Sequence, residues 1–284
     1  MTAGQRSVTS PDGTPIAVVS SGDGPPLLLV HGAIADHTTW RSLGPVLEPR
    51  FRLLAIDRRG RGASGDGPAY SIEKEYEDLA TVADEAAEEA GAPVDVVGHS
   101  YGGRCALGAA LLTPSIGRLV VYEGAPSPPG TAELGGNGGG SGYRPAGVER
   151  RIAALIDAGD RDAALETFMR EIVRMPLADL AAFRADPIWP VRAAAVGTTL
   201  RELEGEASPA ASLEALAGVD QPVLQLLGGD SAAPFREATE ALDARLRNGR
   251  VVVIDGARHA AHHTDVPAFA AAVEAFLDAI DVAD

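Results

Sequence analysis

Sulfur and positive charge are what this chain has least of. Its 284 residues include one cysteine, Cys105. A lone thiol excludes an intramolecular disulfide framework and any multi-cysteine zinc or iron–sulfur site, and it leaves a reducing compartment permitted. Lys+Arg number 24 against 40 Asp+Glu, a formal charge of −16 at pH 7. Nucleic acid and anionic membrane both require a basic surface that displaces counterions, so neither is an expected partner. Lysine is almost missing: Lys74 is the only one, and the other basic positions are permanently charged arginines. No apolar run approaches the roughly 18 residues of a membrane span. Met1–Ser10 lacks the apolar core and small-residue cleavage pattern of a secretory signal. No internal repeat or coiled-coil heptad is visible. The expectation from these absences is a cytoplasmic protein, monomer or homodimer, that acts on a small molecule.

What is present is a regular alternation. Short apolar runs bounded by Gly, Pro or Asp recur at Leu27–Val30, Leu53–Ile56, Val94–Val97, Leu119–Tyr122, Val223–Leu227 and Val251–Ile254. Runs of this length read as buried strands. Helical periodicity follows most of them, at Ser71–Ala90, Ala106–Leu112, Arg236–Leu246 and Pro267–Ile280. Strand–helix alternation predicts an α/β fold, a mostly parallel central sheet with helices on both faces. Pro11-Asp12-Gly13 predicts the turn of an edge hairpin. Between about Gly124 and Gln221 the alternation stops. A glycine-rich linker, Gly130–Gly142, leads into helical segments at Val148–Ala158, Arg161–Arg174 and Leu177 to about Leu203. The expected organisation is a core of residues 1–124 and 221–284, with residues 125–220 a helical cap inserted at the carboxyl edge of the sheet, where open α/β sheets bind ligands.

The sharpest chemical signal is Val94–Gly103, in which a buried strand runs into Gly98-His99-Ser100-Tyr101-Gly102 and then a small-residue helix. Gly-x-Ser-x-Gly between strand and helix is a nucleophile elbow: the turn is too tight for flanking side chains, and it thrusts the serine hydroxyl outward. The same turn aims the Tyr101 amide at the position of a developing oxyanion. His31-Gly32-Ala33, directly after another strand, offers the Ala33 amide as second donor, and His31 reads as structural, bonded to nearby backbone. Asp57-Arg58-Arg59-Gly60-Arg61-Gly62-Ala63-Ser64 reads as a loop pinned by ion pairs. Ile34 and Tyr101 adjoin the oxyanion donors and are expected to touch substrate. Trp189 is a third candidate, within a set (Trp40, Phe168, Met169, Met175, Phe183) able to line an apolar pocket or simply to pack. Cys105, one helical turn past the elbow, is expected to be an inert buried thiol.

Taken together, His31-Gly32, the Asp57–Ser64 loop, Gly98–Gly102 and Gly256-Ala257-Arg258-His259 followed by Pro267 and Phe269 resemble the α/β-hydrolase fold superfamily over about Pro25–Gly124 and Gln221–Ala279. The cap carries no signature that fixes a substrate. The resemblance implies a triad in the chain order serine, acid, histidine. His259 is then the base. His262 and His263 complete a His-x-x-His-His cluster without the carboxylate pattern of a metalloprotease, so no metal and no cofactor is expected. For the acid, the resemblance favours Asp230, after Val223–Leu227 and Gly228-Gly229. The usual Gly-x-x-Asp spacing falls instead on Ser231, and Glu123, at the end of the preceding strand, is the alternative.

The resulting expectation is a serine hydrolase, carboxylesterase or lactonase-like, that cleaves a small, largely uncharged ester or lactone through an acyl-enzyme on Ser100. A carbon–carbon bond hydrolase or perhydrolase with the same triad, and a non-catalytic ligand-binding receptor of the same fold, remain as alternatives.

Overall fold

A computed structural model describes residues 4–128 and 145–279. The glycine-rich stretch Gly130–Gly142 lies outside the described residues. Among the described residues, eight strands form one sheet: β1 (Gly4–Thr9), β2 (Pro15–Ser21), β3 (Pro26–Val30), β4 (Arg52–Ile56), β5 (Val94–His99), β6 (Ile116–Tyr122), β7 (Val223–Gly228) and β8 (Gly249–Ile254). Their spatial order is β1-β2-β4-β3-β5-β6-β7-β8. β1 and β2 form the antiparallel hairpin, β2 pairs antiparallel with β4, and every later pairing is parallel.

The continuous apolar runs are explained by burial on both faces. Leu28, Val30, Val96, Leu119 and Val121 point into one cluster, closed by the helices Ile72–Ala90 and Tyr101–Ala110. Their alternates Leu27, Leu29, Val97 and Val120 point into another, closed by Phe269, Val273 and Phe276 of the helix Val266–Asp278. With period two and both faces covered, these strands are apolar almost throughout; Gln225 of β7 is the buried polar exception. The helices are punctuated as their termini require. Ser71 caps the first by accepting from the Lys74 amide, and Gly91 ends it in the left-handed region at φ 70°.

The helical segment after β6 has a cluster of its own, built from Val148, Ile152, Leu165, Phe168, Trp189 and Leu203, and it settles on Ile34 of the loop after β3. The expected long helix from Leu177 is broken into Leu177–Ala185, Trp189–Ala195 and Thr199–Gly205. The expected Arg161–Arg174 helix widens at Phe168–Ile172, where the Val173 amide reaches back five residues to the Phe168 carbonyl. From Ala211 onward, Leu213, Leu216 and Val219 belong to the sheet's own cluster. Buried charge ties the insertion down: Glu202 pairs with Arg58 and, at 2.8 Å, with Arg61, and Arg192 pairs with Asp36 at 3.0 Å. The Asp57–Ser64 loop is thus pinned as its charges predict, with Arg58 also on Glu75 and Arg59 on Asp78. Among the described residues, no helix is long and apolar enough to cross a membrane.

Candidate active site

Parallel pairing brings distant residues to one sheet edge. Val30 is the register partner of Gly98, so the loop after β3 lies beside the elbow after β5. His99 pairs with Tyr122, which puts Glu123 next to Ser100, and Gly228 pairs with Ile254, which delivers the loop carrying His259.

The elbow is strained at Ser100, a non-glycine residue at φ 53° and ψ −125°. The strain is locked in by neighbours that admit no side chains. A Cβ at Gly102 would lie 2.3 Å from the His31 carbonyl oxygen, and one at Gly98 would lie 2.6 Å from the Gly103 Cα. A Cβ at Gly124 would lie 2.6 Å from the Ser100 carbonyl oxygen, and one at Gly32 would fit only tightly, 3.1 Å from the Ser100 Cβ. The Ser100 amide donates to the Tyr122 carbonyl at 2.8 Å. The amides of Ala33 and Tyr101 donate to no acceptor among the described residues. Both residues line, with Ser100, Glu123 and His259, a cavity of about 50 Å³.

His259 Nδ1 donates to Glu123 Oε2 at 2.6 Å. Glu123 Oε1 accepts from the Gly228 amide at 2.8 Å and from Ser231 Oγ at 2.5 Å, and its side chain is fully buried. The carboxylate is therefore aimed by the loop after β7. Its own backbone is in the left-handed region, φ 47°. Asp230 is elsewhere: its side chain is 57% exposed and turned toward Arg258 at 3.9 Å, while its amide donates to the Ala257 carbonyl. The geometry therefore corrects the preference for Asp230: the carboxylate on His259 is Glu123. The physical reason is the short Gly228-Gly229 turn, which places Ser231 where the familiar spacing would have an acid.

Further contacts hold the histidine loop. Tyr122 Oη donates to the Arg258 carbonyl and accepts from the Ala261 amide at 3.1 Å. Phe235 stacks on the His259 ring, centroids 4.3 Å apart. His99 Nε2 donates to the His259 carbonyl at 2.8 Å, and burial together with the neighbouring His259 keeps the His99 pKa well below the usual histidine range. Tyr122, Gly124, Ser231 and Phe235 escaped the sequence reading. The glycine directly after Glu123 was a usable signal, since a close approach demands it; the aromatic positions carried none.

His31 is structural in geometry: Nδ1 donates to the Gly32 carbonyl at 2.8 Å and Nε2 accepts from the Arg58 amide at 3.0 Å. Cys105 is buried, and burial pushes its thiol pKa far up. Ile34, at φ 55°, lines an outer groove of about 770 Å³ together with Met169, Met175, Phe183 and His259. Tyr101 and Phe168 face the inner cavity. Trp189 does neither. It is 5% exposed within the insertion's own cluster, edge-on to Phe183, with Nε1 donating to Asp162 at 2.8 Å. Its expected contact with substrate is corrected accordingly: an indole with a buried N–H goes where an acceptor waits. Trp40 packs against His262 and lines neither space.

A strained serine elbow beside two open amides and a carboxylate-held histidine, on an eight-stranded mostly parallel sheet, defines an α/β hydrolase. The chain belongs to the alpha/beta hydrolase family, whose profile matches residues 27–273. A solved alpha/beta hydrolase from Sphaerobacter thermophilus is 32% identical, superposes with a TM-score of 0.75, and the match covers 93% of this chain and 100% of that one. A pimeloyl-[acyl-carrier protein] methyl ester esterase from Neisseria meningitidis is 28% identical over 263 residues, 88% of this chain and 92% of that protein. A protein of Mycobacterium tuberculosis named probable oxidoreductase EphD is 39% identical over 102 residues, which are 34% of this chain and span only 17% of that protein's length.

Proposed function

We propose that the protein is a serine esterase that hydrolyses small, largely uncharged carboxylic esters or lactones through an acyl-enzyme on Ser100. The observation that carries this reading is the 2.6 Å bond from His259 Nδ1 to the buried Glu123, at the wall of the cavity that Ser100 lines. With Nδ1–H given to Glu123, Nε2 holds the lone pair and is the site that takes the serine proton.

In the first half-reaction Ser100 Oγ attacks the ester carbonyl carbon and its proton passes to His259. The oxyanion forms against the amides of Ala33 and Tyr101. The C–O bond to the alcohol breaks, and the alcohol leaves with the proton from His259. In the second, water gives a proton to His259 and attacks the acyl carbon. Ser100 then departs with that proton, releasing the acid. Glu123 fixes the ring and stabilises the imidazolium, the role first assigned to Asp230. Each oxyanion donor is worth about 3–4 kcal/mol of barrier. The helices Val148–Gly205 act as a cap, with Phe168, Ile172 and Thr199 forming one wall of the cavity. The ester-cleaving relative from Neisseria supports the reaction type.

The test is steady-state release of p-nitrophenol from short acyl esters at neutral pH by the wild type and by Ser100→Ala. Turnover by the wild type alone supports the reading. Equal turnover, or none by either, sinks it.

A further inference from the structure

Among the described residues, the non-glycine positions in the left-handed region are Ile34, Ser100, Glu123 and Arg174. Strain of this kind persists only where the surroundings over-determine it. Close-packed glycines lock Ser100, and the Gly228 amide and Ser231 fix Glu123 through its carboxylate. Ile34, at φ 55°, directly follows the oxyanion donor Ala33. A β-branched residue is a genuine outlier there, so something must hold this turn as well.

The Ala33 loop does not hold itself. Among the described residues, no amide from Gly32 to Asp36 donates within hydrogen-bond geometry. Regular bonding resumes at the short turn His37–Trp40, where the Thr38 amide donates to Asp36 Oδ1 at 3.0 Å and the His37 amide to Asp57 Oδ1 at 2.7 Å. The missing restraint comes from the insertion. Its apolar cluster takes in the Ile34 side chain, which is 7% exposed. Arg192, on the helix Trp189–Ala195, reaches the two residues that close the loop. Its Nη1 pairs with Asp36 Oδ1 at 3.0 Å, and its Nη2 donates to Thr38 Oγ1 at 3.2 Å. Thr38 Oγ1 in turn donates to Asp36 Oδ1. One rigid guanidinium fork thus spans a carboxylate and a hydroxyl, which the single ammonium of a lysine cannot reproduce. The helix that carries it is anchored by Trp189 and Ala193 in the same cluster as Ile34. Arg192 borders the outer groove, yet it is buried and both terminal nitrogens lie on loop partners.

We infer that Arg192 is a positioning residue of the oxyanion hole: by clamping Asp36 and Thr38 from the insertion, it keeps the strained Ile34 turn that presents the Ala33 amide. The inference rests on the esterase reading. An amide displaced by about 1 Å costs on the order of 100-fold in rate. Because that amide acts on charge that develops in the transition state, the loss falls on kcat and not on KM.

The experiment compares wild type, Arg192→Met, Arg192→Lys, and Arg192→Met combined with Asp36→Asn, which leaves no unpaired carboxylate at the clamp. Folding is followed by thermal melting. The first readout is steady-state hydrolysis of p-nitrophenyl butyrate. The second uses an alkyl trifluoromethyl ketone isotopically labelled at its carbonyl carbon. Ser100 Oγ adds to that carbon, the serine proton passes to His259, and the carbonyl oxygen becomes a hemiketal oxyanion with no leaving group. The NMR shift of the labelled carbon, followed against pH, reports the pKa of the hemiketal, which oxyanion donors lower.

Arg192→Met and the double variant are expected to lower kcat by about 100-fold with KM within about threefold of wild type. Both should raise the hemiketal pKa by about one unit or more. Arg192→Lys should recover part of each. A residue that only ties the insertion down would change the melting temperature and leave the hemiketal pKa of the folded enzyme at its wild-type value. That result overturns the inference, as does a kcat within about twofold of wild type in a folded Arg192→Met. A raised KM with kcat kept also overturns it, since Arg192 would then be a substrate contact. If Arg192→Met does not fold, the double variant decides. Absence of any Ser100-dependent turnover or hemiketal in the wild type overturns the esterase reading, and the inference with it.

Discussion

The elbow and the insertion above it are held by different physics. Around Ser100 the chain is fixed by exclusion: Gly98, Gly102 and Gly124 sit where a methyl group would overlap backbone atoms. The insertion is fixed by attraction, through one apolar cluster and the buried ion pairs of Glu202 and Arg192. Steric exclusion can be read from glycine in a sequence. Attraction between charges a hundred residues apart cannot. On the proposed function the elbow supplies the chemistry on a rigid frame, and the insertion supplies one wall of the space in front of it.

Breaking the elbow side of this contrast should have the largest effect. Ser100→Ala is expected to lower kcat by about 10⁶-fold, the scale of losing a nucleophile that works in a triad, with the melting temperature unchanged. Retained turnover in that variant would remove Ser100 from the reaction. Next comes Glu123→Gln, expected to cost about 10⁴-fold because an amide there no longer holds the ring in the required tautomer. Asp230→Asn should stay within about twofold of wild type by the same assay, as expected for an exposed group with one weak ion pair.

On the insertion side the effect is on stability. Glu202→Ala leaves Arg61 without its buried partner and is expected to cost about 3–5 kcal/mol, read by urea unfolding. A change below about 1 kcal/mol would mean the insertion is not held by this pair.

Acid should weaken the frame through its buried imidazoles. His31, His99 and His262 are buried and their pKa values lie well below the usual 6.5, with desolvation the largest cause. Below about pH 6.5 the unfolded chain binds protons that the folded one refuses, so stability present above that pH is lost as pH falls. Each such histidine contributes a slope approaching about 1.4 kcal/mol per pH unit. His37 opposes them: its hydrogen bond to Asp57 raises its pKa, so its contribution is present below 6.5 and fades above its raised value. Unfolding free energy is therefore expected to be lower at pH 5.5 than at 7.5; an increase would contradict this balance. The smallest effect is at the surface, where Asp179→Asn, losing a half-exposed pair with Arg258, should shift stability by less than about 1 kcal/mol.

Much of this was legible in the sequence because periodicity and glycine report local constraints. The six parallel strands, the elbow and the Ala33 loop follow from runs and spacings within a few residues, and His259 from the chain order that the resemblance implies. Glu123 was harder. Its left-handed backbone and its aim at His259 depend on β6 lying between β5 and β7, and on Ser231 reaching across from the next loop. The pattern-based preference for Asp230 failed because a loop one residue shorter moves the side chain out to solvent. Trp189 misled for a related reason: a large aromatic near a site packs or binds according to where its N–H finds an acceptor, and Asp162 lies on another helix. Breaks in the expected long helix from Leu177 had no clear punctuation beyond Pro187 and Pro190.

The central claim is that Ser100 is the nucleophile and Glu123, through His259, sets its reactivity. A fluorophosphonate ester, which reacts with activated serine, tests both parts when the labelled peptide is mapped by mass spectrometry and the labelling rate is followed. The account predicts a single label on Ser100, formed orders of magnitude more slowly in Glu123→Gln and at the wild-type rate in Asp230→Asn. A label on another residue, or slowing in Asp230→Asn with Glu123→Gln unaffected, would contradict it.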